Sequence, residues 1–403
     1  MKRLLVLFVA TLCMVSNAYA GVNLNIDEDT SVDLGFRVQT LLKSSNFADP
    51  GSNDDRSKSE FLLRRARLRL GGNVTDLMSF FMQTDTALSS SDGGSGGDMR
   101  LIDAWVAVHP DELANVYMGL HMAPAGRQHT TSSGALLAMD RPAITNYNLT
   151  WGLNARPQFN TSNLIDGNLA LSGTGAVRDT GLTLFGTHSF TDTAHIKYYG
   201  GVYNGIQEGS NENNKRFTGR AQFNFFDPES GYFNSATYLG KKKTIGFGAS
   251  YDYQSDIATD AILGDVDYKW FELDAFAEYP LGPGSITAEA AFQNLDLGGA
   301  TQLNDTAGTK DARNTQGSGY YLQTGYYLEE YKLQPFVAFE GWDSDSADNT
   351  GSFNSYKIGL NYYIKGHNAK LSAGYERFVS KTDIGSTNQD TIDTFMLGAY
   401  ITY

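Results

Sequence analysis

The chain has 403 residues, of which 41% are hydrophobic, 12% aromatic and 19% charged, and its formal net charge is −14. Soluble domains average about 25% charged residues, so the composition is unusual for a soluble enzyme, and the plentiful aromatics exclude a disordered chain. The acidity also argues against a nucleic-acid partner.

Residues 1–20 carry Lys2 and Arg3, an apolar run from Leu4 to Val15, and Ala18-Tyr19-Ala20 before Gly21. That is the charge, core and cleavage pattern of a secretory signal, so the mature chain is expected to begin at Gly21. Losing the two cations takes the net charge from −14 to −16, and losing Cys13 removes the single cysteine. No disulfide or cysteine metal site is then expected. Beyond residue 20 no apolar stretch approaches the roughly 18 residues of a transmembrane helix. Barrel strands remain possible, because they need only about 9–11 residues and alternate apolar with polar.

Sixteen alternating segments follow, beginning near 31, 59, 77, 100, 113, 179, 194, 215, 243, 267, 284, 319, 331, 355, 368 and 391. Their links alternate between short turns, such as Gly72-Asn73-Val74-Thr75 and Thr191-Asp192, and long loops, such as 43–58, 122–178, 255–266 and 296–318. Link 227–242 breaks this alternation, and a strand hidden there would upset the count. In the last segment Phe395, Leu397, Ala399, Ile401 and Tyr403 share one face, while Thr394, Gly398 and Thr402 share the other. Aromatic doublets at Tyr198-Tyr199, Tyr320-Tyr321, Tyr326-Tyr327 and Tyr362-Tyr363 fall near strand ends, where interfacial girdles sit. The expectation is one all-β domain, 21–403. It is a transmembrane antiparallel β-barrel of about sixteen strands, with short periplasmic turns and long outer loops. A secreted β-sandwich or β-helix is the alternative.

Arg65, Arg67 and Arg69 alternate with Ala66, Leu68 and Leu70. Turned to lipid, each arginine near the midplane would cost about 2–4 kcal/mol, so all three are expected to line the lumen. The same logic places Arg37, Lys197, Arg216 and Arg220 inside, with Glu272, Asp274 and Glu278 as an acidic counterpart row. Opposed rows set a field across a pore that favours polar solutes. Two readings of the arginines stand side by side: an anion ladder, or wall charges paired with neighbouring carboxylates. Likewise Lys241-Lys242-Lys243 is either a basic collar or a solvated turn. Leu136, Leu137, Met139, Trp151 and Phe159 make connection 122–178 too apolar for a solvated loop, so it is expected to pack against something.

The segment Phe61-Leu62-Leu63-Arg64-Arg65-Ala66-Arg67-Leu68-Arg69-Leu70-Gly71-Gly72 resembles the early double-arginine strand of the phosphate-selective porin O and P family. Asp103-Ala104-Trp105 continues the resemblance, as do Gly119 to Pro142 with Ser132-Ser133 and Asp140-Arg141-Pro142, and Gly359-Leu360-Asn361-Tyr362-Tyr363. The resemblance implies a sixteen-stranded trimeric outer-membrane porin whose third outer loop folds inward to narrow the channel. It makes Arg127, Asp140, Arg141 and Arg156 constriction candidates. The competing role for that loop is to cover a subunit contact.

Catalytic and metal signals are weak. Gly93-Gly94-Ser95-Gly96-Gly97 lacks the strand-to-helix setting of a nucleophile elbow. His109, His121 and His129 lack zinc-ligand spacing, and Asp343, Asp345 and Asp348 lack the calcium-loop pattern. The resulting expectation is a non-enzymatic diffusion channel in outer-membrane lipid, without cofactor or metal. It passes small polar or anionic solutes, phosphate among the candidates. The alternative is a barrel sheath that houses a periplasmic cytochrome in an electron conduit.

Overall fold

The computed structural model describes residues 21–46, 58–88, 99–142, 178–205, 214–260, 262–300, 303–305, 308–310, 316–383 and 389–403. The signal segment 1–20, residues 143–177 and Arg156 lie outside them.

Sixteen long strands form a single antiparallel sheet. In order they are β2 Ser31–Ser45, β3 Lys58–Thr75, β4 Met78–Leu88, β5 Arg100–Asp111, β6 Ala114–Met122, β7 Arg178–Thr191, β8 Ala194–Tyr203 and β9 Arg216–Phe226. The second half continues with β10 Thr244–Asp260, β11 Gly264–Leu281, β12 Gly284–Asp296, β15 Gly317–Tyr327, β16 Leu333–Ser344, β17 Phe353–Tyr363, β18 Ala369–Ser380 and β19 Thr391–Thr402. Each pairs with its neighbour in sequence, and β19 pairs with β2 from Thr402↔Arg37 to Thr394↔Ser45, which closes the barrel. Closure leaves no open edge, so the ladder is satisfied without water. A short β1, Val22–Asn25, extends the sheet beside the start of β2, and a small hairpin, β13 Leu303–Asp305 with β14 Gly308–Lys310, stands in the loop before β15.

Alternation of side chains creates two faces. Outward positions such as Phe217, Phe247, Leu273, Leu322, Ile358 and Leu397 are large, apolar and exposed, forming a band all around the wall. A continuous apolar surface of this kind marks contact with a membrane rather than with water. Inward positions are polar: Arg67, Gln83, Glu272, Gln293 and Asn361 are buried.

The expected alternation of links holds with two changes. The 255–266 loop is largely strand, because β10 and β11 run on to a tight turn. There Asp260 Oδ1 accepts the backbone N–H groups of Ile262 at 2.7 Å and Leu263 at 2.9 Å. Link 227–243 contains no barrel strand; it leaves the short-turn end and folds back into the lumen. The aromatic doublets also divide. Tyr320 is 47% exposed and Tyr321 2%, since adjacent residues of a strand face opposite ways, so each doublet gives one ring to the outer band and one to the interior.

Candidate permeation site

β3 supplies the first part of the interior. Arg67 sits opposite Arg37 of β2, and Arg65 opposite Gln39. Arg67 forms an ion pair with Asp85 of β4 at 2.7 Å and also reaches Ser133 Oγ at 3.0 Å, the atom that Arg37 contacts at 2.7 Å. Arg69 lies with its guanidinium 5.6 Å from the centre of the Phe81 ring. Arg65 is fully buried and pairs with Asp140 at 2.8 Å. Arg64 belongs here too, with Asp140 only 2.7 Å away. Strict alternation would have put Arg64 in lipid, but a bulge skips it: Leu63 pairs with Thr40 and Arg65 with Gln39. The sequence did hold a signal, since two consecutive arginines in an apolar strand carry an untenable lipid cost unless the period breaks between them.

The opposite wall, β9 to β12, is buried under the chain itself. Arg220 pairs with Asp274 at 2.5 Å, and Arg216 with Asp252 at 2.6 Å. Glu272 accepts the backbone N–H of Arg127 at 2.6 Å and a Gln293 amide at 2.5 Å, while Glu289 accepts the Gln128 amide at 2.7 Å. Glu278 accepts the backbone N–H groups of Tyr238 and Gly240, both at 2.7 Å. The acidic row is therefore a bed of acceptors on which two inward segments dock.

The first of these segments, 123–142, follows β6 and includes the single turn α1, Arg127–Thr130. Gly126 permits its close approach to the wall, because a Cβ there would lie 2.3 Å from a Glu272 carboxylate oxygen. Gly134 does the same beside Arg37, where a Cβ would fall 2.5 Å from the guanidinium. The second segment is 227–243. The two join in a parallel bridge at Thr131 and Asn234. The N–H of Asn234 donates to Thr130 O at 3.0 Å, that of Ser132 to Asn234 O at 2.9 Å, and that of Ala236 to Ala135 O at 3.0 Å.

Arg127 clasps Glu229 through two bonds of 2.8 Å, both side chains buried. Burial alone would push the Glu229 carboxyl up, but the guanidinium outweighs it and holds the group at about 2. At Asp140 burial is likewise outweighed, by Arg64 and Arg65, which hold this carboxyl below the usual carboxylate range. Lys197 donates to Asn234 Oδ1 at 2.9 Å.

Apolar contacts fix the ends of the unit. Leu137 and Met139 pack with Leu41, Phe336, Met396 and Tyr400. Tyr232 enters an aromatic cluster with Phe81, Trp105, Tyr117, Phe185 and Tyr199, its ring stacked 4.7 Å from Tyr117. Arg141 turns back onto its own segment, where its Nε donates to Gln128 O at 3.0 Å.

Beside this unit lies a cavity of about 1040 Å³, reaching from mid-barrel to the short-turn end. Arg37, Arg67, Arg69, Arg141 and Arg178 line its inner part, and Lys241, Lys242, Lys332 and Lys365 line its mouth. Among the described residues two carboxylates, Asp103 and Glu329, share the lining. Asp103 is paired with Arg178 at 2.9 Å. Lys243 turns away from the cavity's lining and sits over the rings of Phe226 and Tyr279 at 4.2 and 4.9 Å.

Among the described residues no three His, Cys, Asp or Glu side chains gather as a metal cluster. The histidines are dispersed: His109 bonds Ser79 and Asn115, His121 bonds Thr183, and His129 stands edge-on to Trp270.

The model of the phosphate-selective porin O and P family matches residues 33–399. The chain belongs to that family. It is an outer-membrane porin, a channel for small solutes, and family and fold are those of a channel rather than an enzyme. No curated protein matches this porin in sequence. Its structure is similar to that of an anion-selective porin from Comamonas acidovorans, at 10% identity and a TM-score of 0.60, over 93% of this chain and 100% of the other. It is similar also to OmpF of Salmonella typhi, solved with daunomycin, at 12% identity and a TM-score of 0.58 over 95% and 100%. The trimer form of OmpT from Vibrio cholerae follows at 14% identity and a TM-score of 0.53 over 93% and 100%.

Proposed function

We propose that this porin conducts small anions, with phosphate among them, along the basic side of its lumen. The observation that carries the reading is the charge of the cavity lining: with the Arg178–Asp103 and Arg67–Asp85 pairs set aside, three arginines and four lysines among the described residues line it against one carboxylate, Glu329. Charges of one sign around a narrow aqueous path concentrate counter-ions and exclude co-ions. Arg37, Arg67 and Arg69 with Arg141 and Arg178 form the inner path, and the lysines receive the anion at the periplasmic mouth. Arg64, Arg65 and Asp140 anchor the loop and set the bore. Arg127 and Glu229 act from behind it.

The test is the reversal potential of the purified porin in a planar bilayer under a potassium chloride gradient. Current carried mainly by chloride supports the reading, and cation selectivity overturns it.

The assembly we infer is a homotrimer, as the solved OmpT relative is in its trimer form. An unheated sample should migrate as one band near three times the mass of the mature chain, collapsing on boiling. The sheath alternative is disfavoured by the lumen itself, since 123–142 and 227–243 occupy the space in which a folded partner domain would sit.

A further inference from the structure

Building on the anion-channel reading, we infer that the periplasm-facing cavity favours organic anions with an apolar body over inorganic phosphate.

The inference rests on what stands between the cations. A path for a bare, hydrated oxyanion needs charge and water, and apolar lining adds nothing to it. Here apolar side chains are interleaved with the basic ones: Phe81, Phe233, Tyr238, Tyr327 and Ile364 all line the same space. Two of the cations are mounted directly on rings. Arg69 stands 5.6 Å from the centre of Phe81, and Lys242 stands 5.2 Å from that of Tyr238. Each pairing offers a positive head next to an aromatic face, which matches a solute whose negative head adjoins a ring or chain.

Ile364 is the plainest case. It follows β17 in the turn before β18, lines the cavity and leaves half of its surface exposed. Phe233 lies only partly buried at the edge of the aromatic cluster, next to Tyr232 at 5.1 Å. Size agrees with chemistry. Sites for organic ligands run from about 300 to 1,000 Å³, and this cavity holds about 1040 Å³. A phosphate or carboxylate head on the arginines with an apolar body toward Ile364 and Phe233 would cover surface that an inorganic anion leaves wet.

The probes are inorganic phosphate and phenyl phosphate, which share a head and differ by one ring. Each is titrated against the chloride current of the whole porin in a planar bilayer. Phenyl phosphate is expected to half-block at a concentration about 5–10-fold lower, the effect of covering roughly 50 Å² of apolar surface. Ile364→Ser and, separately, Phe233→Ala should erase that difference while leaving the block by inorganic phosphate unchanged. Ile364 lies in an exposed turn, so its variant keeps the test open should Phe233→Ala fail to assemble. Arg69→Gln should weaken both anions together. Equal half-blocking concentrations in the wild-type porin overturn this inference and leave the anion channel standing. So does an Ile364→Ser variant that weakens both anions alike, since the side chain would then be shaping the passage only. A porin that neither anion blocks and that passes mainly cations removes the anion reading underneath it.

Discussion

The bond between the two inward segments has a calculable strength, and its removal has an electrical readout. Glu229 accepts two charge-assisted bonds from Arg127, both 2.8 Å, with further bonds from the Gln222 amide at 2.7 Å, the Asn224 amide at 3.0 Å and the Tyr238 hydroxyl at 2.5 Å. Glu229→Ala leaves the Arg127 guanidinium buried with a more distant carboxylate, Glu289 at 3.8 Å, and the Ser235 carbonyl at 3.2 Å. Breaking a buried pair in this way costs about 3–5 kcal/mol, and the residual Glu289 contact argues for the lower end. At about 1.4 kcal/mol per factor of ten, the ratio of docked to undocked loop falls roughly a hundredfold or more. Glu229→Gln keeps one acceptor and forfeits one charged bond, so it should cost about 1.5–3 kcal/mol. Single channels in planar bilayers report this directly. Wild type is expected to hold one steady level, Glu229→Gln to show brief excursions, and Glu229→Ala to flicker continuously to higher conductance as 123–142 loosens. A Glu229→Ala trace as quiet as wild type, from protein of normal heat-modifiable mobility, would show that the turn does not hold the loop, and the two-segment account would fail.

The remaining predictions use other parts of the barrel. Leu68→Arg adds an arginine between Arg67 and Arg69 but on the outward face, where it should cost about 2–4 kcal/mol and reduce outer-membrane levels; wild-type levels would refute the facing of β3. Arg67→Gln with Arg69→Gln should assemble and lower chloride preference in reversal-potential measurements, whereas Arg65→Glu should impair assembly by setting two carboxylates together at Asp140. The depressed carboxyls of Glu229 and Asp140 fix a pH dependence. Each contributes stability that is complete above its unfolded value near 4 and is lost as pH falls towards its lower folded value. Channel noise should thus be flat from about pH 8 to 5 and rise below about 4, and a rise near neutrality would refute this assignment.

Much of the barrel was legible because lipid imposes a strict period of two on every strand. Phe395, Leu397, Ala399 and Ile401 announce their face without any tertiary information, and β19 has them all outward. The failures have separate local causes. Tyr199, Tyr321 and Tyr363 read as girdle residues beside their neighbours, yet each turns inward. Arg64 escapes because a bulge is a local decision taken against a distant partner, Asp140. In the sequence, length alone marks link 227–242. Tyr232, Phe233 and Tyr238 make it as unsuited to solvent as the apolar residues make 122–178, and that is the signal for its inward course.

The character of the passage was harder to read, because facing does not reveal pairing. Parity alone turns Arg37, Arg65, Arg67, Glu272, Asp274 and Glu278 into the lumen as equals. Their fates then diverge through segments remote in sequence. The carboxylates on β11 and β12 receive backbone N–H groups and amides from 123–142 and 227–243, which covers that half of the wall. Arg65 is consumed by Asp140, and the opening left over runs along Arg37, Arg67 and Arg69. A chain with a net charge of −14 thereby leaves a basic opening. Glu272, Glu278 and Glu289 accept from its own plug, Asp252 and Asp274 are paired with Arg216 and Arg220 on the wall, and the lining that remains is mainly basic. On the proposed anion reading, overall charge is a poor guide to selectivity in this barrel, and the wall that the inward segments cover decides it.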